Sequence, residues 1–246
     1  MDIVYVIGGD SQNNNLELRM SLRSIARFCS NIGKVVVVGN PPMWLSDEVE
    51  KIKVRDRYVY KHSNILMCIE NVVDRGVVIG DFLYSSDDHF YCKDTDFNKY
   101  PYYIKGVLRE NVSQSDPFYQ YRKSLCDTRA LCIKHGLTFN DYSQHCNTHM
   151  HSEVIKEIKG MLHESYRLPF GVEPTSIVMN AWQQRSDAPE TTKRKDVKIL
   201  SAKSLADIWT QIGDRECFSI GDSLFAGGVI ERFFKEEYGI KSVFEK

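Results

Sequence analysis

Residues 3–39 read IVYVIGGDSQNNNLELRMSLRSIARFCSNIGKVVVVG, and this stretch decides the fold. It opens on a short apolar run, Ile3 to Ile7, that stops at Gly8-Gly9-Asp10: a strand closed by a turn. Asn13-Asn14-Asn15 supplies caps for a helix. In that helix Leu16, Met20, Arg23, Ser24 and Ala26-Arg27 recur at helical spacing, with Leu18, Leu22 and Ile25 on the buried face. Lys34 to Val38 is a β-branched run too short for a helix and closed by Gly39 and Pro41-Pro42. Its unbroken apolar character predicts a strand covered on both faces.

The same alternation continues outward. Ile52 to Val54 reads as a weaker third strand, Asn64 to Val73 as a helix with Gly76 just past its end, and Phe82 to Tyr84 as a fourth strand. Strand, helix, strand, helix implies parallel pairing through right-handed crossovers, hence an α/β domain with a mostly parallel sheet flanked by helices. Ligands of such sheets sit beyond the carboxyl ends of the strands. Chemistry is therefore expected in the loops after Ile7, Val38 and Tyr84.

The bulk properties set bounds. A chain of 246 residues holds one generous domain. A formal net charge of -1 provides no global field toward nucleic acid or an anionic membrane. No apolar run is long enough to span a bilayer. The strand that starts at Asp2 leaves no room for a leader, and the 7 cysteines show no C-x-x-C pair, so reduced thiols and a cytoplasmic setting are expected.

Farther along, Tyr100 to Leu108 reads as strand, Pro117 to His135 and Glu153 to Leu162 as helices. Gln183 to Lys195 is polar, carries Pro189 and has no apolar period, which predicts a mobile loop with Lys193-Arg194-Lys195 as a solvated turn. Cys217 to Lys246 reads as a strand, a turn at Gly221-Asp222 and an amphipathic helix.

The sharpest local feature is Phe82-Leu83-Tyr84-Ser85-Ser86-Asp87-Asp88-His89-Phe90. Strand side chains alternate faces, so Asp87 and Asp88 share a site only where the strand breaks. A break at the sheet's carboxyl edge can hold Mg²⁺ or Mn²⁺ with help from a substrate's phosphate oxygens. Asp pairs are also common in exposed turns, and the residues alone leave both readings open.

Asn15-Leu16-Glu17-Leu18-Arg19-Met20-Ser21-Leu22-Arg23-Ser24-Ile25 resembles the NNELRYSLRSI segment of the Stealth family of sugar-phosphate transferases, and is similar to small phage and bacterial proteins with the same block. Asp2 to Tyr5 resembles the strand before it, Pro42-Met43-Trp44-Leu45 the family's P-x-W-L, and Phe82 to Phe90 its FLYxNDDxF, with Ser86 where Asn is usual. A looser likeness covers Cys126 to Ile155.

The resemblance implies a single GT-A-like catalytic domain over 1–246, with a nucleotide-binding half (1–92) and an acceptor-side half (93–246). It implies a nucleotide-sugar donor, Mn²⁺ or Mg²⁺ as cofactor, and transfer of a sugar or sugar phosphate. It assigns Asp87 and Asp88 to catalysis and to the metal and donor diphosphate, and Asn15, Arg19 and Arg23 to the donor, the two arginines otherwise bracing the acidic turn. Gly8 and Gly9 depart from the family's turn after the first strand, but a glycine loop there can still lie against the donor, since missing side chains allow close approach. In the His-rich block, His145-Cys146-Asn147-Thr148-His149-Met150-His151, His145 is the first choice for a further metal or phosphate ligand and His149 the second.

Other residues divide between roles. Arg19 and Arg23 share a helix face, usually a solvated one, but Arg is also the natural bidentate partner of phosphate or carboxylate. Lys61-His62-Ser63-Asn64 opens a helix, which makes His62 and Asn64 candidates at an anion site or plain caps. An acceptor hydroxyl needs a carboxylate to take its proton; Glu173 and Asp116, both in loops, are equal candidates on the residues and Asp222 a weaker one, and Glu173 is taken as the catalytic choice. The tyrosines between 100 and 121 can stack a base or sugar, or simply pack. The expected function is metal-dependent glycosyl transfer to an acceptor hydroxyl on a glycan or a modified DNA base. Its rivals are sugar-1-phosphate transfer and a catalytically silent nucleotide-binding protein.

Overall fold

The apolar runs become strands and the periodic runs become helices in a computed structural model that describes residues 1–8, 15–225 and 228–246. Gly9 lies outside the described residues, as does the side chain of Asp222. The first third alternates β1 (Asp2–Ile7), α1 (Leu16–Phe28), β2 (Val35–Gly39), β3 (Val49–Lys53), α2 (Lys61–Asp74) and β4 (Asp81–Ser85), followed by β5 (His89–Tyr91). Then come α3 (Tyr119–Lys134), β6 (Thr148–His151), α4 (Ser152–Glu157), α5 (Lys159–Ser165) and α6 (Pro174–Trp182). The last part contributes β7 (Lys198–Ile199), α7 (Leu205–Ile212), β8 (Cys217–Ile220) and α8 (Gly228–Tyr238).

The main sheet has the order β6-β4-β1-β2-β3. β1 pairs in parallel with β2 (Ile3 opposite Val35) and with β4 (Ile3 opposite Leu83), and β2 pairs in parallel with β3. Only β6 runs antiparallel, against β4. The α/β expectation thus holds: a single domain around a mixed, mostly parallel sheet.

Strand alternation sorts the core. Ile3, Tyr5, Ile7, Val35, Val37 and Leu83 pack with Leu18, Leu22 and Ile25 of α1. Val4, Val36, Val38, Phe82 and Tyr84 pack on the opposite face with α2, α4 and α6. Both faces of β2 are therefore covered, and each fully buried Val or Leu contributes roughly 1.5–3 kcal/mol. Gly39 ends β2 at φ 114°, and a Cβ there would stand 2.0 Å from the Ile7 carbonyl oxygen. Only glycine permits that approach between the carboxyl ends of β1 and β2.

A second, three-stranded sheet runs β7-β8-β5 and is covered by α7 and α8 through Phe218, Ile208, Phe233 and Phe234. β6 crosses into the first sheet from the chain's later half, and β5 crosses into the second from its earlier half. The expected halves at residue 92 are thus interleaved. The segment expected to be a structureless loop carries a strand, Thr191–Lys193, parallel to Tyr102–Ile104. Its Arg194 is not a solvated turn residue: it forms a two-pronged ion pair with Glu216, Nη2 to Oε2 at 2.6 Å, and lies over the Tyr103 ring. A partner strand distant in sequence supplies the order that the local pattern lacks. The helix expected over 153–162 is broken at Ile158 into α4 and α5. Among the described residues no helix is long and apolar enough to cross a membrane.

Candidate functional site

The strand order reverses at β1: β2 and β3 lie on one side, β4 and β6 on the other. The crevice beyond the carboxyl ends of β1 and β4 is the switch point at which such sheets bind ligands. β4 ends at Ser85 and β5 begins at His89, so the expected break falls on the acidic turn. A cleft of about 620 Å³ of empty space, partly open to solvent, lies beyond the carboxyl end of β4, where Tyr84 and Ser86 line it. Asp88, His89, His145, Glu173, Lys61 and Lys198 all line it.

The second sheet composes one wall. Lys198 of β7 stands opposite Ser219 of β8, and Ser219 stands opposite His89 of β5. Residues directly opposite share a face, so this row converges on the carboxylate just ahead of β5. The Ser219 hydroxyl donates to Asp88 Oδ2 at 2.9 Å, and Lys198 Nζ stands 3.6 Å from the same oxygen. The Ser86 amide donates to His89 Nδ1 at 3.4 Å, leaving the ring proton on Nε2, 3.9 Å from Asp88 Oδ1. Burial alone would raise the Asp88 carboxyl, but His89, Lys198 and Ser219 outweigh it and hold it below its ordinary value. Burial pushes His89 itself down, with Asp88 pulling the other way.

The opposite wall behaves differently. Glu173 caps α6, its Oε2 accepting from the Ser176 amide at 2.6 Å and the Thr175 hydroxyl at 2.7 Å. Burial nonetheless pushes its carboxyl up. His145 is pushed down to about 4 by burial against the pull of Asp196, with Lys198 and Lys105 adding to burial. His62, in α2's first turn, is pushed down to about 4 by burial and by Lys61 beside it. Both imidazoles are neutral at neutral pH, so each offers a lone pair. Gln144 lines the cleft with both its amide atoms buried and unpaired within the protein, which leaves them for a ligand.

The other expected site residues are placed elsewhere. Asp87 sits on the turn but does not line the cleft. Arg19 and Arg23 do not reach it either. Arg19 Nη1 donates to Glu245 Oε2 at 2.7 Å, and Arg23 holds both oxygens of Glu245, with Nε to Oε1 at 2.7 Å and Nη2 to Oε2 at 2.9 Å. The brace on the acidic turn comes instead from α1's serines: Ser21 donates to the His89 carbonyl, and Ser24 Oγ accepts from the Tyr91 amide. Asn64 holds the chain ahead of α2, accepting from the Arg57 and Tyr58 amides. Asn15 is the N-cap of α1 in left-handed backbone (φ 55°), its carbonyl accepting from the Arg19 amide. Gly8 is exposed just past β1, with open space where a Cβ would lie.

His149 faces away from the cleft, between Asp81 (3.0 Å) and the Tyr100 carbonyl (2.8 Å), with the Tyr102 ring stacked on it. Asp116 pairs with Arg122 outside the cleft. Of the tyrosines between 100 and 121, Tyr121 lines the cleft, tilted against His62.

A hard divalent ion needs one or two carboxylates besides its ligand's phosphate oxygens. Asp88 and His145 face the cleft together, but Asp88 Oδ2 is already shared by a hydroxyl and an ammonium. A divalent ion about 5 Å from that ammonium meets a repulsion on the order of 6 kcal/mol at an effective dielectric of ~20. Among the described residues no group of three or more His, Cys, Asp or Glu side chains is arranged around a common point. The residues present therefore fit Mn²⁺ or Mg²⁺ poorly, and no step below passes through one.

Lys198, Ser219 and Gln144 were not singled out from the sequence, because a lone Lys, Ser or Gln in an irregular stretch carries no local signal. Comparison with protein-family models gives no match, and comparison with curated proteins gives none. The likeness to the Stealth family thus rests on the short motifs alone.

Proposed function

We propose that this chain is a GT-A-like transferase that binds a nucleotide-sugar donor in the cleft beyond β4 and passes the sugar to an acceptor hydroxyl. One observation carries the reading: two carboxylates face one cleft, Asp88 held ionised and Glu173 pushed up. Carboxylates driven apart in this way mark an electrostatic partner and a proton acceptor. The acceptor oxygen attacks the anomeric carbon and the bond from that carbon to the phosphate oxygen breaks. The hydroxyl proton passes to Glu173, and the electron pair leaves on the diphosphate. Lys61 at the start of α2 and Lys198 offset that charge, as amides at a helix N-terminus also do.

A glycan hydroxyl suits the cleft better than a base on duplex DNA. A base on duplex DNA needs a basic groove for the phosphate backbone, yet in Lys193-Arg194-Lys195 the Arg194 guanidinium is committed to Glu216 and the net charge is -1.

The test is a thermal-shift panel of UDP, GDP, CDP and their sugars, with and without Mn²⁺, on the wild type and Asp88→Ala. Stabilisation by one nucleotide family that is lost in the variant is the expected result; no shift with any of them would sink the reading. Donor turnover should fall about 10²-fold or more in Asp88→Ala, in the range typical for loss of a positioned catalytic group. Nucleotide binding without any donor turnover would point to a silent binding protein.

Sugar-1-phosphate transfer is the second reading. It is favoured by His145, neutral and half-buried in the cleft, as a base for attack on phosphorus. Product mass separates the two: added hexose or added hexose phosphate.

A further inference from the structure

The expectation of a divalent ion at Asp88 meets a side chain that already stands beside that carboxylate. We propose that Lys198, together with Lys61, replaces the metal as the counter-charge for the donor's diphosphate, so that nucleotide binding here is metal-independent. This rests on the nucleotide-sugar reading above.

Three observations support it. The row Lys198, Ser219, His89 is a register of paired strands, so the ammonium is fixed to the wall by backbone pairing rather than by a loop. Its one ion-pair partner among the described residues is Asp88, at 3.6 Å, longer than a direct hydrogen bond. A lysine ammonium has three donors, which leaves Lys198 donors for phosphate oxygens while the carboxylate stays beside it. Lys61, the second cleft cation, begins α2, whose first turn carries no acidic residue and no side-chain cap. An anion placed between them meets two ammonium groups and a helix N-terminus.

The arrangement also accounts for Asp88. Its Oδ2 takes a hydrogen bond from Ser219, and its other oxygen faces His89. Asp88 therefore positions Lys198 rather than ligating a cation, and the charge held by the pair turns to the diphosphate once a donor enters.

The experiment is calorimetric titration of the full chain with UDP, GDP, CDP and ADP, in EDTA and again in Mn²⁺. It is run on wild type, Lys198→Met, Lys198→Arg and Lys61→Met, each first checked for an unchanged melting temperature. One nucleotide should bind the wild type in EDTA within about threefold of its affinity in Mn²⁺. Lys198→Met should weaken that binding about tenfold or more, the loss of one charge-assisted contact, and Lys198→Arg should restore most of it. Lys61 is exposed, and Lys61→Met should weaken binding likewise even if Lys198→Met does not fold.

Binding that appears only with Mn²⁺ overturns the inference and leaves the transferase reading standing. So does wild-type affinity in either methionine variant. No binding of any nucleotide under either condition overturns both.

Discussion

His62 and His145 face the cleft as neutral imidazoles, and for both the first cause is burial. His62 falls from 6.5 to about 4, so the unfolded chain takes up a proton at this residue at a higher pH than the folded one does. Stability associated with it is fully present above about pH 6.5 and is lost as the pH falls toward 4. The shift corresponds to about 3 kcal/mol. His62→Phe removes the proton site and keeps a ring against Tyr121, 5.7 Å away in the native protein. Melting temperatures between pH 7 and pH 4 should fall less steeply in this variant; an unchanged acid limb would show that His62 is not the group responsible. A histidine opening a helix was visible in the sequence, but the burial that keeps it neutral was not. That burial comes from Tyr121 and from the segment around Gly171, where a Cβ would lie 3.5 Å from His62 Cβ.

The elements around the site were legible to different degrees. β1, α1, β2 and α2 follow from apolar periodicity, because each is long enough to show its period. Gly39 shows how such elements meet. Its φ of 114° and the Ile7 carbonyl together forbid a side chain, so Gly39→Ala should destabilise by about 2 kcal/mol or more or fail to accumulate as folded protein. Urea unfolding read by circular dichroism measures this, and a loss under 0.5 kcal/mol would contradict the packing described. β7 and the Thr191–Lys193 strand are two and three residues long, too short for any period. They exist because β8 and Tyr102–Ile104 supply partners for their backbone groups. In the block from Asn15 to Ile25 the serines hold β5 and the arginines hold Glu245.

That clamp belongs to the whole molecule. Glu245 is joined to α1 across the length of the chain, and Trp44 lies 4.1 Å from the Arg19 guanidinium carbon. Burial alone would raise the Glu245 carboxyl, but Arg23, the Ser242 amide and Arg19 hold it at about 2. Stability from this group is therefore present above about pH 4.5 and lost as the pH falls toward 2. Glu245→Gln should cost about 3 kcal/mol at neutral pH, since it leaves two arginines partly unpaired. Chemical denaturation of the variant checks this, and a cost below 1 kcal/mol would mean that solvent repairs the site. Local pattern was enough for the α/β class, the first four strands of the sheet and the strand break at the acidic turn, since periodicity and strand breaks are encoded in adjacent residues. It was not enough for the cleft's composition. Asp88, Lys198 and Ser219 meet through strand register, and Glu173 lines the same cleft from the capped start of α6. Which residues face one another across such a space depends on pairings between distant segments, and no window along the chain contains them.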